Sequence, residues 1–339
     1  MEKDLRTKAE FILGGNVLLP KDYKAPFRLS RSTAGPGAGG SSMVFAFNGM
    51  RVKKTVSYES GDFELRVCND RIDIMRNGNV FISNVEIVPV IFHSPCHAFF
   101  NLDQNCIFNC LYCASPRLSK DVTKGLTNEK IVDMIRSSEH EINEIALTSG
   151  VVGSVQETVD RMTECVKLLR TAFPEKTIGV EPYVNTVGQI DSLKAAGADE
   201  IKINRECASS EIFDIVCPGM DHSNIEKMLR HAVSVFGKGR VASNIIYGLG
   251  ESDDDVVKEM ELLASFGCIP GLRAIKIAPV NRSTLTNALG VLEPVDTARM
   301  IRLAEEQKNI LKKNGLSTGS FKTMCFECQC CDIVPFKDL

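Results

Sequence analysis

The chain has 339 residues, of which 44% are hydrophobic and 24% charged, and its formal net charge is −3. This is the composition of an ordinary globular protein, and a pI near 6.0 argues against the basic surface that nucleic-acid binding requires. The sequence has no run of about 18 apolar residues and no signal-peptide core, so we expect a cytoplasmic protein without a membrane span.

Residues 1–95 are predicted to form a small β-rich module. Short runs of alternating apolar and polar residues follow a glycine-rich stretch at 31–42, which is typical of a loop. The step Arg-Asn-Gly-Asn at 76–79 indicates a tight hairpin, because Asn-Gly readily adopts positive φ.

Directly after a predicted strand, three cysteines lie within eight residues: Cys106, Cys110 and Cys113. In a reducing compartment such a group is more typical of metal ligation or catalysis than of disulfides. Three thiolates suit an iron–sulfur cluster, and a cluster with only three protein ligands leaves one iron open to a substrate or cofactor. The alternative is a structural zinc completed by a distant residue.

Residues 96–316 alternate between predicted strands and helices. The predicted strands are 142–150, 176–183, 199–204, 240–250 and 271–280, and the predicted helices are 154–173, 187–197, 223–237, 253–267 and 295–315. With the strand before the cysteine loop they make six βα units, which indicates parallel strands and right-handed crossovers. An open doubly wound sheet and a partial barrel both agree with this pattern, and both place function at the carboxyl ends of the strands.

Residues 317–339 form a short tail that is rich in cysteine. Its four cysteines are Cys325, Cys328, Cys330 and Cys331. Adjacent side chains diverge in extended backbone, so Cys96 or a non-cysteine group is an alternative to one of the last two as a ligand. We expect an auxiliary iron–sulfur cluster here, with zinc and a redox dithiol as alternatives.

The loop Cys106-Ile-Phe-Asn-Cys110-Leu-Tyr-Cys113 resembles the C-x3-C-x2-C loop of radical S-adenosylmethionine (SAM) enzymes, with its aromatic residue before the last cysteine. The resemblance implies an α/β fold: a partial (β/α)6 TIM-type barrel over 96–316 with a small N-terminal β-rich module and a cysteine-rich C-terminal tail. It also implies that the three cysteines form the catalytic metal site, a [4Fe–4S] cluster. In that family the cluster cleaves bound SAM to a 5′-deoxyadenosyl radical.

The resemblance extends to the ends of successive strands. The step at 149–150 lies where many members have a Gly-Gly-Glu turn, the step at 204–206 resembles the Asn-x-Glu of biotin and lipoyl synthases, and 244–251 resembles G-x-I-x-G-x-x-E with Asn in place of the first Gly. The implied SAM-binding residues are Tyr112, Ser149, Gly150, Glu181, Asn204, Glu206, Asn244, Gly248, Glu251 and Pro279.

The resemblance is closest to the biotin-synthase-like branch, which includes two-component lipoyl synthases. Our leading hypothesis is sulfur insertion at an unactivated C–H bond, as in lipoyl synthesis on an octanoyl-lysyl carrier protein. The auxiliary [4Fe–4S] cluster would donate the sulfur, and the tail would place it over the mouth of the barrel, opposite the SAM site. Implied partners are the carrier, a second radical SAM subunit and a reductant such as ferredoxin or flavodoxin. The alternatives are a rearrangement or maturation enzyme, such as methylornithine synthase or the hydrogenase maturase, and a non-catalytic zinc-binding protein.

Overall fold

In the structure, a computed structural model, a mainly antiparallel β-rich module precedes a parallel α/β sheet. The residues that the structure describes are 2–27, 29–31, 40–69, 71–90, 92–95, 97–117 and 126–339. Most of the predicted loop at 31–42 lies outside them, and so does Cys96. Among the described residues no helix is both long enough and apolar enough to span a bilayer.

In the described part of residues 2–95, the β-rich module has one helix and eight short strands. Their bounds are α1 Glu2–Leu13, β1 Val17–Leu18, β2 Ser30–Arg31, β3 Ser41–Phe47, β4 Met50–Ser57, β5 Phe63–Cys68, β6 Arg71–Arg76, β7 Asn79–Ile82 and β8 Glu86–Val88. The predicted hairpin at 76–79 is confirmed, since β6 and β7 are antiparallel and both Asn77 and Gly78 have positive φ.

Helix α1 joins the module to the rest of the chain. Its Phe11 packs edge-on against Phe45 and Phe63, with ring centroids 5.6 and 5.0 Å away, in the core of the module. Its Leu5 and Ala9 belong instead to the core of the α/β part. The sequence analysis did not predict α1, whose apolar positions are divided between these two cores.

The second sheet is entirely parallel. Its strands are β9 Ala98–Asn101, β10 Glu144–Thr148, β11 Thr177–Glu181, β12 Glu200–Lys202, β13 Glu206–Cys207, β14 Val241–Tyr247 and β15 Ile269–Ala274. The order is β9-β10-β11-β12-β14-β15, with β13 also paired to β14. Within the described part of the chain β9 and β15 form the two open edges, so the architecture is a partial TIM-type barrel, as the resemblance implied.

The helices of the α/β part follow its strands, and one further short helix lies in the tail. Their bounds are α2 Asn128–Arg136, α3 Val155–Ala172, α4 Val187–Ala195, α5 Ser210–Val216, α6 His222–Phe236, α7 Asp253–Ser265, α8 Pro279–Leu289, α9 Thr297–Lys313 and α10 Met324–Cys328. All five predicted helices form, as α3, α4, α6, α7 and α9. The sequence analysis did not predict α2, α5, α8 or α10.

Alternate residues of the barrel strands face opposite sides. On β11 and β12, Val180 and Ile201 belong to the core beneath the helices, whereas Glu181 and Lys202 meet each other in the barrel interior. The residues that line the interior are therefore polar at the strand ends. The division of the chain at 95 and 316 stays a prediction.

Candidate active site

The loop after β9 carries Cys106, Cys110 and Cys113 at the carboxyl edge of the sheet. Backbone hydrogen bonds fix this loop to the end of β10. The Leu102 N–H donates to the Thr148 carbonyl at 2.8 Å, and the Ile107 N–H donates to the Val151 carbonyl at 2.8 Å. The cysteines thus lie where the parallel strands end, as the βα pattern predicted.

Gly150 lets the cysteine loop lie directly on the end of β10. A Cβ atom at this position would lie 2.1 Å from the Asn105 carbonyl oxygen. The Gly150 N–H donates to the Asp103 carbonyl at 2.7 Å, and Ser149 Oγ donates to the Gly150 carbonyl at 2.8 Å. Gly150 therefore has a packing role, and the SAM contact of these two residues stays a prediction.

Backbone amides point at two of the loop sulfurs. The Val151 N–H donates to Cys106 Sγ and the Ser115 N–H donates to Cys113 Sγ, each at 3.4 Å. Burial raises the pKa of both thiols, and the neighbouring loop thiols raise it further. The thiols are thus close enough to repel one another as thiolates, which a cationic ligand would offset.

Helix α8 holds the cysteine loop from its other side. The fully buried Asn281 side chain donates to the Tyr112 carbonyl at 2.9 Å, and Thr284 Oγ1 donates to the Leu111 carbonyl at 3.1 Å. Pro279, a predicted SAM contact, is the first residue of this helix, where its fixed φ favours helix initiation.

Polar side chains at the strand ends connect the cysteine loop with the barrel interior. Glu206 hydrogen-bonds with Tyr112 of the loop and with Asn204. Asn204 Nδ2 donates to Glu181 Oε1 at 2.9 Å, and the same oxygen lies 2.8 Å from Lys202 Nζ. The structure therefore brings four of the predicted SAM-binding residues into one network.

Glu206 is a strongly perturbed member of this network. Burial raises the pKa of its carboxyl to about 7, although hydrogen bonds from Tyr112 and Asn204 oppose the rise. Its φ of 68° lies in the left-handed region, which costs a non-glycine residue about 1 kcal/mol or more. Such strain is typical of functional positions.

The turn after β14 is built around Glu251. Its carboxylate accepts hydrogen bonds from the backbone N–H of Gly248 at 2.6 Å and of Leu249 at 2.9 Å, and pairs with Arg299 at 2.8 Å. These contacts shape the strand-end turn, in which Gly248 has a φ of 91°. Asn244, earlier on β14, donates its backbone N–H to Asn204 Oδ1 at 3.3 Å.

The cysteine tail reaches the interior from the amino-terminal ends of the strands. Glu200, at the start of β12 and fully buried, accepts hydrogen bonds from the N–H groups of Lys322 and Thr323 at 2.9 and 3.0 Å. On β11 a Cβ atom at Gly179 would lie 2.0 Å from Thr323 Oγ1. This buried acceptor fixes the start of the tail near the amino-terminal end of β12, and a cluster over the mouth of the barrel, opposite the SAM site, stays a prediction.

The tail thiols lie among positively charged side chains. Lys202 Nζ donates to Cys325 Sγ at 3.6 Å, and the Arg273 guanidinium hydrogen-bonds to the same thiol. Hydrogen bonding with Cys330, together with the charge of Lys53, lowers the pKa of Cys328 to about 6 against the effect of burial. Cys331 lies within electrostatic reach of Cys325, Cys328 and both Arg273 and Lys53.

Residues 101–263 match the model of the Radical SAM superfamily. This segment is a radical SAM domain. Over 115 residues it is also 29% identical to biotin synthase 2 of Frankia casuarinae, a segment that covers 33% of this chain and 31% of that protein. This likeness supports the biotin-synthase-like branch.

Two solved structures share the fold. Methylornithine synthase (PylB) is 15% identical with a TM-score of 0.51, over 62% of this chain and 63% of that chain. The FeFe-hydrogenase maturase HydG from Carboxydothermus hydrogenoformans is 19% identical with a TM-score of 0.53, over 65% and 52%. The chain thus spans about a third of the biotin synthase and less than two thirds of either solved chain.

For the radical SAM domain at 101–263 the family implies a [4Fe–4S] cluster and SAM as cofactors. Within the described ranges, no three His, Cys, Asp or Glu side chains converge closely enough to hold a metal ion. The donors of the cysteine loop nevertheless fit the cluster in type and number, and backbone amides are directed at two of the sulfurs.

The sequence analysis missed several residues of this radical SAM site. It treated Lys202, Arg273 and Glu200 only as parts of strands. It treated Asn281 only as the end of the strand predicted at 271–280. Each acts through contacts across more than 50 positions of sequence. Polar residues in otherwise apolar strands were the available signal, since a strand buried on both faces is normally apolar.

Proposed function

We propose that the protein is a radical SAM enzyme that inserts sulfur at an unactivated C–H bond. Cys106, Cys110 and Cys113 would hold the [4Fe–4S] cluster whose electron cleaves SAM to a 5′-deoxyadenosyl radical. The observation that carries the proposal is a second set of thiols inside the same barrel, joined to the cysteine loop by the polar network from Tyr112 to Lys202.

The tail thiols would hold an auxiliary [4Fe–4S] cluster that serves as the sulfur source. Cys325, Cys328, Cys330 and Cys331 supply soft ligands of the kind such clusters prefer. The surrounding cations suit an anionic cluster, because burying a charge is costly unless it is paired. The tail residues are already anchored by Glu200 and by other buried contacts, so their position does not depend on the cluster alone.

The chain's own residues would bind SAM and orient it. Glu206 hydrogen-bonds with Tyr112 of the cysteine loop and with Asn204. Asn204 and Glu206 are therefore suited to contact the polar parts of SAM. Glu251 would act one step away, by fixing the turn after β14 through the amides of Gly248 and Leu249. The helix-capping side chain of Asn281 would keep the loop in register.

For the substrate we propose an octanoyl chain on a lysine of a small carrier protein, with a second radical SAM subunit and a ferredoxin or flavodoxin as partners. One observation favours a second candidate. Glu181, Lys202 and Arg273 make the barrel interior polar, which suits a charged small substrate better than an aliphatic chain. That would match an enzyme of the methylornithine synthase type, in which the tail has a structural role.

Anaerobic reconstitution with iron and sulfide, followed by SAM and a reductant, tests the proposal. We expect about eight irons per chain, two [4Fe–4S] clusters, and formation of 5′-deoxyadenosine. Cys110→Ala should abolish 5′-deoxyadenosine, because it removes a ligand of the radical-generating cluster. Cys328→Ala should still release it but yield no sulfur-containing product from an octanoyl-lysyl peptide.

The outcomes separate the two candidates. Loss of sulfide from the auxiliary cluster during turnover of the octanoyl-lysyl peptide supports sulfur insertion. Normal product formation by Cys328→Ala would refute the role of the tail. SAM cleavage that is stimulated only by small charged substrates, with the auxiliary cluster intact, would favour rearrangement.

A further inference from the structure

Three cations from three separate segments surround the tail thiols. Lys53 comes from β4 of the N-terminal module, Lys202 from β12 and Arg273 from β15. The Lys202 side chain is only 4% exposed and lies 3.6 Å from Cys325 Sγ. We call these three residues the cationic cage.

The cage is held in place by contacts of its own. The Lys53 backbone N–H donates to the Cys330 carbonyl at 2.9 Å, and its Nζ donates to the His93 carbonyl at 2.9 Å. The first of these bonds is a direct link between the N-terminal module and the tail. The module therefore forms one wall of the space around the thiols.

The charges of the cage are incompletely balanced. Lys202 pairs with Glu181 at 2.8 Å, and Arg273 lies 3.9 Å from Asp332, which also accepts hydrogen bonds from the N–H groups of Ala274 and Ile333. Among the residues that the structure describes, no carboxylate lies within ion-pair distance of Lys53. Burying cations without equal counter-charge is unfavourable, so the arrangement suits an additional anion between them.

Under the proposed function, the tail thiols hold an anionic iron–sulfur cluster. We propose that Lys53, Lys202 and Arg273 stabilise this cluster and raise its reduction potential. A [4Fe–4S] cluster with four thiolates carries two negative charges when oxidised and three after one-electron reduction. Nearby cations stabilise the more negative form more strongly. The N-terminal module thereby contributes to the chemistry of the site through Lys53.

The test uses the full chain with Cys106, Cys110 and Cys113 all changed to Ala, so that only the tail cluster remains. In this background Lys53→Met and Lys202→Met remove one charge each while keeping the length of the side chain. Lys167→Met removes a charge from the exposed face of α3 and serves as the matched control. Iron content and an EPR-monitored redox titration are measured for each variant.

We expect each Met variant of the cage to show a ratio of reduced to oxidised cluster that is about tenfold lower at a fixed potential. This corresponds to a reduction potential that is lower by about 59 mV for a one-electron couple. Lys53→Arg and Lys202→Arg, which keep the charge, should restore the potential, and Lys167→Met should not change it. Loss of iron from a Met variant that keeps its circular dichroism and is rescued by Arg also supports the cage.

Two different results would overturn two different statements. Equal potentials in the Met variants and in Lys167→Met, with iron bound, would refute the cage and leave the auxiliary cluster standing. Absence of iron from the Cys-to-Ala background itself would refute the auxiliary cluster, and with it the proposed source of sulfur.

Discussion

Gly150 illustrates how a single missing methyl group supports the cysteine loop. Because a Cβ atom would lie 2.1 Å from the Asn105 carbonyl oxygen, Gly150→Ala must move the loop backbone. We expect this variant to lose the loop cluster, and a destabilisation of about 1–3 kcal/mol from overpacking. Iron content after reconstitution and urea unfolding measure the two effects.

The matched control is Gly188→Ala on α4, where an added Cβ meets nothing within 4 Å. This variant should retain full iron and be stabilised by up to about 1 kcal/mol, because alanine favours a helix over glycine. Equal iron content in the two variants would contradict the packing role of Gly150.

Lys54 is a second residue with a measurable consequence, here for pH. Burial in the core of the N-terminal module lowers the pKa of its ammonium to about 7, and the charge of Lys276 lowers it further. The unfolded chain binds the proton up to about pH 10.5, so between pH 7 and 10.5 it holds more protons than the folded chain. The free energy of unfolding should therefore rise with pH over that window because of Lys54.

Urea unfolding of Lys54→Met at several pH values tests this. Each unit by which burial lowers the pKa corresponds to about 1.4 kcal/mol, so burying the charged ammonium costs several kcal/mol. This cost applies fully below pH 7. Lys54→Met should therefore gain stability relative to wild type at pH 6, and lose that advantage towards pH 10. Lys21→Met, an exposed change in the same module, should show no such trend, and a parallel trend in both would sink the explanation.

At the scale of single residues, the sequence singled out residues that lie close together along the chain or directly after a predicted strand. The three loop cysteines could be predicted because they are close in sequence, and Gly150 because it follows a strand. Lys202 and Arg273 could not, because their role comes from a tail more than 50 positions away. Asn281 likewise reaches Tyr112 across 169 positions.

At the scale of elements, the tail is docked by one buried carboxylate. Glu200 accepts from the N–H groups of Lys322 and Thr323, from Thr323 Oγ1, and from Arg240 at 2.8 Å. Glu200→Gln replaces an acceptor oxygen with an NH₂ group that faces these donors. We expect a destabilisation of about 1–3 kcal/mol and faster proteolysis of the tail, with the cysteine loop unaffected.

Limited proteolysis with mass spectrometry measures the release of the tail. Glu261→Gln, an exposed change on α7, should leave the cleavage pattern as in wild type. Equal protection of the tail in both variants would contradict the anchoring role of Glu200.

The long helices could be read from the sequence because period and caps agree. At α3, α6 and α7 an N-cap side chain, Ser154, Asp221 or Ser252, accepts from a backbone N–H of the first turn. Of the unpredicted helices, α5 and α10 are short, whereas α2 was missed although it has an N-cap at Thr127 and is as long as α4. Helix α8 was partly taken as strand, because the apolar run through 280 continues past the point where Pro279 starts a helix.

At the scale of the whole molecule, helix α1 is joined to the tail by a buried ion pair. Lys8 Nζ lies 2.6 Å from Asp338 Oδ2, with side chains 0% and 1% exposed, and donates to the Gln329 carbonyl at 2.9 Å. Lys8→Met leaves Asp338 charged and buried. We expect a loss of about 3–5 kcal/mol in the free energy of unfolding.

A double variant keeps this prediction specific. Lys8→Met with Asp338→Leu should recover most of the loss, because neither charge then remains buried alone. Lys3→Met, exposed on the same helix, is the control. Urea unfolding in which the single and double variants are equally unstable would contradict the ion-pair explanation.

The overall architecture needed more than the hydrophobic pattern. Six βα units predicted a parallel sheet, but an open sheet and a partial barrel share that pattern, and only the resemblance carried by the cysteine loop separated them. The contacts that anchor the tail, such as those of Glu200, are long-range and periodicity does not encode them, so a cluster over the mouth, opposite the SAM site, stays a prediction.

The docking of the tail at Glu200 has a consequence for biogenesis. A ribosome makes the chain in order, so the loop thiols emerge long before the last cysteines, and the barrel that receives the tail exists only after α9 has been translated. Under the proposed function, iron delivery to the loop thiols would begin on the nascent chain, whereas the tail thiols would have to wait until translation has passed them. A cell short of iron would then accumulate protein with only the proposed loop cluster.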